Sequence, residues 1–242
     1  MTLVDDIQSA RDALVKGNRI LAHEGIVDAF GHLSVRHPRR ADCFLLSWAR
    51  APELIEEGDL MEFALDGTTT DGSGRAPYLE RFIHAAIYAE RPEVMAICHN
   101  HTLSILPFSI SRTVRLRPVI HTAGVLGVSE VPVWNIADEF GAATNLLVVN
   151  MDQGRSLART LGQGRIALMR GHGSVVVGPD VPGTVSACLS MDKNARVQLA
   201  AMQLGELIPL APGEIGRPWE ASGQSPLPDR AWEALVRRVG MS

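Results

Sequence analysis

The chain has 242 residues, of which 46% are hydrophobic and 21% are charged, so it can bury a substantial core. A net charge of −4 argues against a nucleic-acid-binding protein, because such a protein needs a basic face. No apolar run reaches the roughly 20 residues of a membrane span, and the first residues are acidic, unlike a secretion signal. We therefore expect a cytoplasmic protein without nucleic-acid or membrane partners, whose three widely spaced cysteines are free thiols.

Along the chain, helices alternate irregularly with short strands. Apolar residues at helical spacing predict a first helix over residues 5–24, and Gly25 is placed to end it. Pro77 is expected to begin a second helix that runs to about Ala89. Further helices are expected over residues 181–204 and 229–239. Strands are expected over residues 33–35, 44–47, 60–65, 94–98, 114–120, 131–134, 166–169 and 175–177.

This order of elements predicts a single α/β domain over residues 1–242, with a central antiparallel or mixed sheet covered by helices. Residues 211–242 form a C-terminal extension that either packs on the surface or covers a neighbour's site. Neither a GxGxxG nor a GxxxxGK[ST] motif occurs, which argues against the common nucleotide-binding folds.

Two histidines stand at the end of the strand predicted over residues 94–98. His99 and His101 are two residues apart, so on an extended chain their side chains point to the same side and can reach one ion. Taken alone, this pair is also compatible with two partly exposed histidines at a strand end. A third histidine, His172, lies between two glycines after another predicted strand, where glycine permits turns or close approaches. Together the three predict a catalytic metal site with open positions.

Glu80 precedes His84 by four residues on the predicted second helix, so the two share a helix face. The spacing alone favours a surface pair, and the alternative is that Glu80 is an acid or base beside the metal. Three arginines, Arg36, Arg50 and Arg75, lie in loops or at strand ends. Solvated side chains are the usual case at such positions, and a bidentate clamp on a substrate carboxylate is the alternative.

Several blocks, in order over about residues 5–207, resemble the class II aldolase/adducin family. The blocks are Gly31-His32-Leu33-Ser34-Val35-Arg36, Glu80-Arg81-Phe82-Ile83-His84-Ala85-Ala86-Ile87-Tyr88, Arg91-Pro92-Glu93-Val94, His99-Asn100-His101 and Gly171-His172-Gly173. The resemblance implies a single α/β/α domain around a mixed, mostly antiparallel sheet, assembled as a fourfold tetramer with sites between neighbouring subunits. It also implies that His99, His101 and His172 bind zinc and that Glu80 is the acid/base.

The chain departs from the sugar-phosphate aldolases of that family where they hold phosphate. Gly31-His32 replaces Gly-Asn, Tyr78-Leu79 replaces Ser-Ser, and residues 47–50 (Ser-Trp-Ala-Arg) replace a loop like Thr-Pro-Thr-Gly. These changes remove short hydroxyls and backbone donors that cradle phosphate. Thr122, after His121, also stands where the aldolases have a proton-donating tyrosine.

Residues 27–32, 77–84 and 168–173 resemble instead the decarboxylase branch of the family, which acts on hydroxylated aromatic or pyridine dicarboxylates. The resemblance implies a decarboxylase with one divalent metal per subunit: zinc or manganese, with cobalt possible. Candidate substrate-binding residues are His32, Ser47, Arg50, Tyr78 and His121. Three alternatives remain: an aldolase, a sugar-phosphate dehydratase that conflicts with the missing phosphate groups, and a non-catalytic adducin-like module.

Overall fold

A computed structural model describes residues 3–69, 72–215 and 229–241 of the chain. This part contains a seven-stranded sheet with strand order β3-β2-β1-β4-β7-β6-β5. Neighbouring strands are antiparallel except for the parallel pair β5 and β6, which confirms the mixed, mostly antiparallel sheet. The strands are β1 His32–Arg36, β2 Cys43–Ser47, β3 Leu60–Ala64, β4 Ala96–Asn100, β5 Val133–Trp134, β6 Ile166–Met169 and β7 Gly173–Gly178.

Helices cover both faces of the sheet. They are α1 Leu3–His23, α2 Arg81–Glu90, α3 Leu106–Ile110, α4 Ala137–Phe140, α5 Met151–Leu161, α6 Val181–Met202 and α7 Asp229–Arg238. One hydrophobic cluster joins α1 and α6 to sheet residues such as Leu33 and Cys98. A second cluster joins α2 and α5 to sheet residues such as Ile97 and Val175 on the opposite face. The two clusters confirm the layered α/β/α arrangement.

The second helix begins later than Pro77. Pro77 forms an isolated antiparallel bridge with Trp48, and α2 starts only at Arg81, so the prediction that the proline opens the helix is wrong. The predicted long helix over residues 181–204 and the C-terminal helix over 229–239 are confirmed to within two residues. Helices α3, α4 and α5 were not predicted, although Asn150 caps α5 by accepting a hydrogen bond from the Gln153 amide.

The predicted strand over residues 114–120 is also wrong, and α6 supplies the reason. Asn194 accepts the Val119 amide at 2.7 Å and donates to the Arg117 carbonyl at 2.8 Å. Gln198, one turn later, accepts the Arg117 amide at 2.9 Å and donates to the Arg115 carbonyl at 2.7 Å. Two side chains thus satisfy the backbone groups that a neighbouring strand would otherwise bind.

The C-terminal extension returns to the body of the molecule. Leu235 and Val236 of α7 belong to the cluster that contains α1, and Arg238 pairs with Glu24 at 3.0 Å. This end therefore packs on the surface of α1, whereas residues 216–228 lie outside the described part of the chain. No helix within the described ranges combines the length and apolar character needed to cross a membrane.

Replacing Asn194 with leucine should lower the free energy of unfolding by about 2 kcal/mol or more, since each backbone group left without a partner costs roughly 1–3 kcal/mol. Urea denaturation measures the change. Lys193→Leu introduces the same side chain at the adjacent, exposed position and should change stability by less than about 0.5 kcal/mol. Equal stability of the two variants would contradict this account of segment 114–120.

Candidate functional site

Four residues from separate parts of the chain bring ligand atoms together. One nitrogen from each of His99, His101 and His172 and a carboxylate oxygen of Glu80 all lie within 4.8 Å of one another. His99 is in β4 and His101 follows that strand directly, while His172 lies in the tight turn between β6 and β7. Glu80 is the N-cap residue of α2. The structure thus brings together the three predicted metal histidines and the predicted acid/base.

Two features of the backbone position His99 and His172: the alternation of side chains along β4, and the close approach of Gly173 to Asn100. Cys98 packs in the α1 and α6 cluster and Ile97 in the α2 and α5 cluster, so alternation directs His99 towards α2. A Cβ atom on Gly173 would lie 2.1 Å from the Asn100 carbonyl oxygen, which only glycine avoids. The preceding Gly171 has φ +65°, in the left-handed region. The two glycines therefore hold His172 beside the end of β4.

The Nε2 atoms of the histidines point at one another. The His101 Nε2 atom lies 3.0 Å from that of His99 and 3.1 Å from that of His172. The opposite ring nitrogens, Nδ1, each contact an oxygen that can only accept a hydrogen bond. His99 donates to the Ser174 carbonyl at 3.1 Å, His172 to the Leu146 carbonyl at 3.0 Å, and His101 to the Asp28 carboxylate at 3.0 Å.

This arrangement fits a divalent cation. Because the ring proton is fixed on Nδ1 in each case, three unprotonated Nε2 lone pairs face a common point with no proton between them. Burial lowers the pKa of His101, which keeps that ring neutral. Three imidazoles and a carboxylate are the donor set of a catalytic site for zinc or a similar ion.

Glu80 lies beside the histidines as an ionised carboxylate. Its Oε2 atom is 3.4 Å from the Nε2 atom of His99 and 3.5 Å from that of His172. Burial raises the pKa of Glu80, but its close contacts with the His99 and His172 rings lower it by more. The other oxygen, Oε1, accepts the Val148 amide at 2.9 Å, so the carboxylate is held from both sides.

The loop before α5 anchors two of the four residues. Within this loop, the Leu146 carbonyl holds His172 and the Val148 amide holds Glu80. Leu146 has φ 68°, and among the described residues it is the one non-glycine with positive φ. A leucine in this region is strained by roughly 1 kcal/mol. The strained backbone directs the Leu146 carbonyl towards the site, which neither composition nor periodicity could reveal.

A chain of buried hydrogen bonds runs from the site into the interior. The Nδ1 atom of His32 is 2.6 Å from Nε2 of His84, whose Nδ1 is 2.6 Å from the Ser34 hydroxyl. Ser34 in turn contacts the Tyr88 hydroxyl at 2.9 Å. Burial lowers the pKa of His84 to about 3, so the ring is neutral. Glu80 and His84 do share a face, but it is a buried one, and the expectation of a surface pair was wrong.

His32 connects this chain to the predicted substrate-binding residues. Its ring centroid lies 5.1 Å from that of His99 and 4.6 Å from that of Tyr78. Tyr78 donates its hydroxyl to the Arg50 carbonyl, and burial raises the Tyr78 pKa. The Ser47 hydroxyl is buried beside the Tyr78 hydroxyl, and its interaction with that group partly offsets the effect of burial on the Tyr78 pKa. The side of the site next to His32 therefore contains the Tyr78 ring and two buried hydroxyl groups.

The remaining candidates stand in different surroundings. The Arg50 guanidinium forms an ion pair with Asp59, which also accepts from Trp48, so Arg50 already has a carboxylate partner. His121 is exposed on a 3-10 helix, His121–Leu126, and does not belong to the four-residue group. Arg36 is buried and donates to four backbone carbonyls, those of Val94, Ala41, Tyr88 and Arg91, so it supports the fold. Arg75 donates to the Gly58 carbonyl.

Two site residues have no role in the sequence-based prediction. Asp28 stands in one of the family-like blocks, yet nothing in its spacing indicates that its carboxylate reaches His101. Leu146 acts through its carbonyl group, which every residue type possesses. An aspartate just before a strand that carries a candidate site histidine is the only signal that could have pointed to Asp28.

The chain is similar in sequence and fold to known proteins. Residues 12–199 match the family model described as Class II Aldolase and Adducin N-terminal domain. The decarboxylase tropJ of Talaromyces stipitatus is 35% identical, over 93% of this chain and 92% of that protein. A 3,4-dihydroxyphthalate decarboxylase of Arthrobacter keyseri is 26% identical, over 81% of this chain and 80% of its own. The solved L-fuculose 1-phosphate aldolase from Glaciozyma antarctica PI12 superposes with a TM-score of 0.76 at 25% identity, over 98% of this chain and 91% of that one.

Proposed function

Because the chain belongs to the class II aldolase and adducin family, we propose that it is a metal-dependent decarboxylase of a hydroxylated aromatic or pyridine carboxylate. The observation that carries this proposal is the convergence of three unprotonated histidine nitrogens beside the Glu80 carboxylate. Relatives that cover most of this chain are named decarboxylases, and one acts on 3,4-dihydroxyphthalate. The chain is accordingly a carbon–carbon lyase, with decarboxylation favoured over aldol cleavage.

In the proposed site, His99, His101 and His172 hold one divalent metal, with Glu80 at its edge. When bound, such an ion acts as a Lewis acid that withdraws charge from an oxygen next to the breaking carbon–carbon bond. Zinc and manganese both suit the donor set, and cobalt can replace them. His101 and His172 are partly exposed whereas His99 and Glu80 are buried, so the substrate approaches from the side of His101 and His172.

Glu80 is the proposed acid/base. Its lowered pKa makes it a carboxylate at rest, so it first accepts a proton, which we assign to the ring hydroxyl of the substrate. As carbon dioxide leaves, Glu80, or a water that it orients, gives a proton to the ring carbon. The Val148 amide fixes the other oxygen, Oε1, during both transfers. Proton balance therefore needs no group beyond this carboxylate and water.

Residues next to His32 are proposed to bind the rest of the substrate. The buried Ser47 hydroxyl, beside that of Tyr78, can turn to donate to a carboxylate, and the Tyr78 ring can border the aromatic ring. His32, which is neutral because burial lowers its pKa, can offer one hydrogen bond from the nitrogen that does not face His84. The Arg50 guanidinium is already paired with Asp59, so it would bind a substrate carboxylate only while also contacting Asp59. His121 stays a sequence-based prediction, because it is exposed on the 3-10 helix His121–Leu126 and lies outside the four-residue group.

We also propose a homotetramer in which neighbouring subunits border each site. Several large apolar side chains near the site are exposed: Phe30 by 73%, Leu79 by 62%, Leu103 by 79% and Ile110 by 63%. Large apolar side chains exposed around a site are compatible with an interaction surface. One chain has a mass of 26.2 kDa, and size-exclusion chromatography with light scattering should give four times that mass. A single-chain mass would contradict this proposal.

A cytoplasmic location is proposed from the three free, buried cysteines.

Metal-loaded protein should release carbon dioxide from 3,4-dihydroxyphthalate or a hydroxypyridine dicarboxylate. A chelator should abolish the release, and adding zinc or manganese should restore it. Glu80→Gln keeps the size and the Val148 hydrogen bond but cannot accept a proton, so it should lower kcat by about 100-fold or more. His172→Ala should lose both metal and activity.

The matched control is His23→Ala, because His23 is exposed on α1, away from the group. This variant should keep full activity. Carbon dioxide release that survives His172→Ala would refute the metal role, and full turnover by Glu80→Gln would refute the acid/base role. An aldehyde product from an aldol substrate, without carbon dioxide, would select the aldolase alternative, and absence of bound metal would revive the adducin-like module.

A further inference from the structure

His101 differs from the other two histidines of the group in what holds it. His99 and His172 donate their Nδ1 protons to backbone carbonyls, which are neutral. The Nδ1 atom of His101 instead lies 3.0 Å from one oxygen and 3.1 Å from the other oxygen of the Asp28 carboxylate. Of the three Nδ1 atoms, that of His101 therefore faces a full negative charge and the other two face neutral carbonyl groups.

Asp28 is itself held in place by the loop that leads into β1. Its Oδ1 atom accepts the Phe30 amide at 2.9 Å and the Gly31 amide at 3.0 Å. A Cβ atom on Gly31 would lie 3.1 Å from the His99 carbonyl oxygen, so this loop runs close against β4. The carboxylate therefore has a fixed position relative to the histidines, and it is not a freely rotating surface group.

We propose that Asp28 is a positioning residue that orients and polarises His101 for metal binding, an inference that rests on the proposed metal site. A carboxylate that accepts the Nδ1 proton fixes the ring orientation and the tautomer, and it makes the opposite Nε2 atom a stronger ligand. Asp28 is thereby part of the metal site without touching the metal. Its side chain is half exposed, so it stands at the outer edge of the site next to His101.

A purely structural role for Asp28 makes a different prediction. If the residue only closes the turn at residues 28–31, asparagine should replace it without loss, because Asn keeps the oxygen that accepts the Phe30 and Gly31 amides. If the negative charge of Asp28 next to His101 matters, Asp28→Asn should weaken metal binding. The free energy of unfolding of the metal-free protein should then stay unchanged. Asparagine at position 28 therefore separates the two roles.

The experiment measures zinc affinity of the full chain by competition with a chromophoric chelator, and the visible spectrum of the cobalt-loaded protein. Asp28→Asn should bind zinc about 10-fold to 100-fold more weakly than the parent chain, with a shifted cobalt spectrum. Asp42→Asn makes the same change at an exposed loop aspartate and should alter neither readout. Asp28→Ala should weaken zinc binding at least as much and also destabilise the loop.

The outcomes separate this inference from the proposed function. Zinc affinity and a cobalt spectrum of Asp28→Asn equal to those of the parent chain would overturn the role of Asp28 and leave the metal site intact. Failure of the parent chain itself to bind zinc or cobalt would overturn both the metal site and the inference. Weaker binding by Asp28→Asn, with unchanged urea unfolding and an unaffected Asp42→Asn, would establish the positioning role.

Discussion

Three histidine lone pairs that face one point, with no proton between them, are the constraint on which the rest of this structure depends. The Nε2 atom of His101 lies 3.0 Å from that of His99 and 3.1 Å from that of His172, and each ring has its proton fixed on the opposite side by an oxygen acceptor. Without a cation such an arrangement is repulsive, and with one it becomes a preformed site. Much of the surrounding structure can be understood as what holds these rings in place.

The groups that fix the three histidine rings lie partly in the regular sheet and partly in strained loop backbone. The sheet presents His99 to α2, and Gly173 lets β7 approach β4 closely enough for His172 to meet His101. The loop before α5 contributes a strained Leu146, whose carbonyl fixes His172. Strain of roughly 1 kcal/mol at a single residue is compatible with a stable fold when it positions a functional group. The fixed backbone at Leu146 therefore positions a site histidine in addition to being part of the fold.

A second polar layer lies directly behind the site. Positions 80, 84 and 88 follow one face of α2 and its N-cap, and they meet the side of the sheet that carries His32, Ser34 and His99. Each ring and hydroxyl in this layer has a partner, so the interior tolerates neutral histidines where an apolar core would be expected. The same layer gives His32 a fixed orientation next to Tyr78, which is where the proposed substrate ring would lie.

The sequence allowed the four clustered side chains to be predicted, but not what orients them. The spacing of His99 and His101 and the glycines around His172 are local signals, and the structure brings all three rings together with Glu80. Asp28 and Leu146 act across the fold, through a carboxylate and a carbonyl that have no local signature.

The misassigned strand has a similar cause. Residues 114–120 have apolar character, but their backbone groups bind Asn194 and Gln198 on a helix about 80 positions later in the chain. Seven of the eight predicted strands and the helices α1 and α6 were predictable because they follow local periodicity, whereas the two helical layers were implied by the family resemblance. Side-chain bonds between distant segments are not periodic, and they account for the remaining differences.

X-ray absorption at the zinc edge tests the central claim most directly, since it reports the ligands of the bound ion themselves. The account predicts one zinc per chain, surrounded by about three imidazole nitrogens at roughly 2.0–2.1 Å, with extra oxygen ligands when a hydroxy-carboxylate is added. A chain that retains no zinc, or a zinc shell without imidazole scattering, would contradict it.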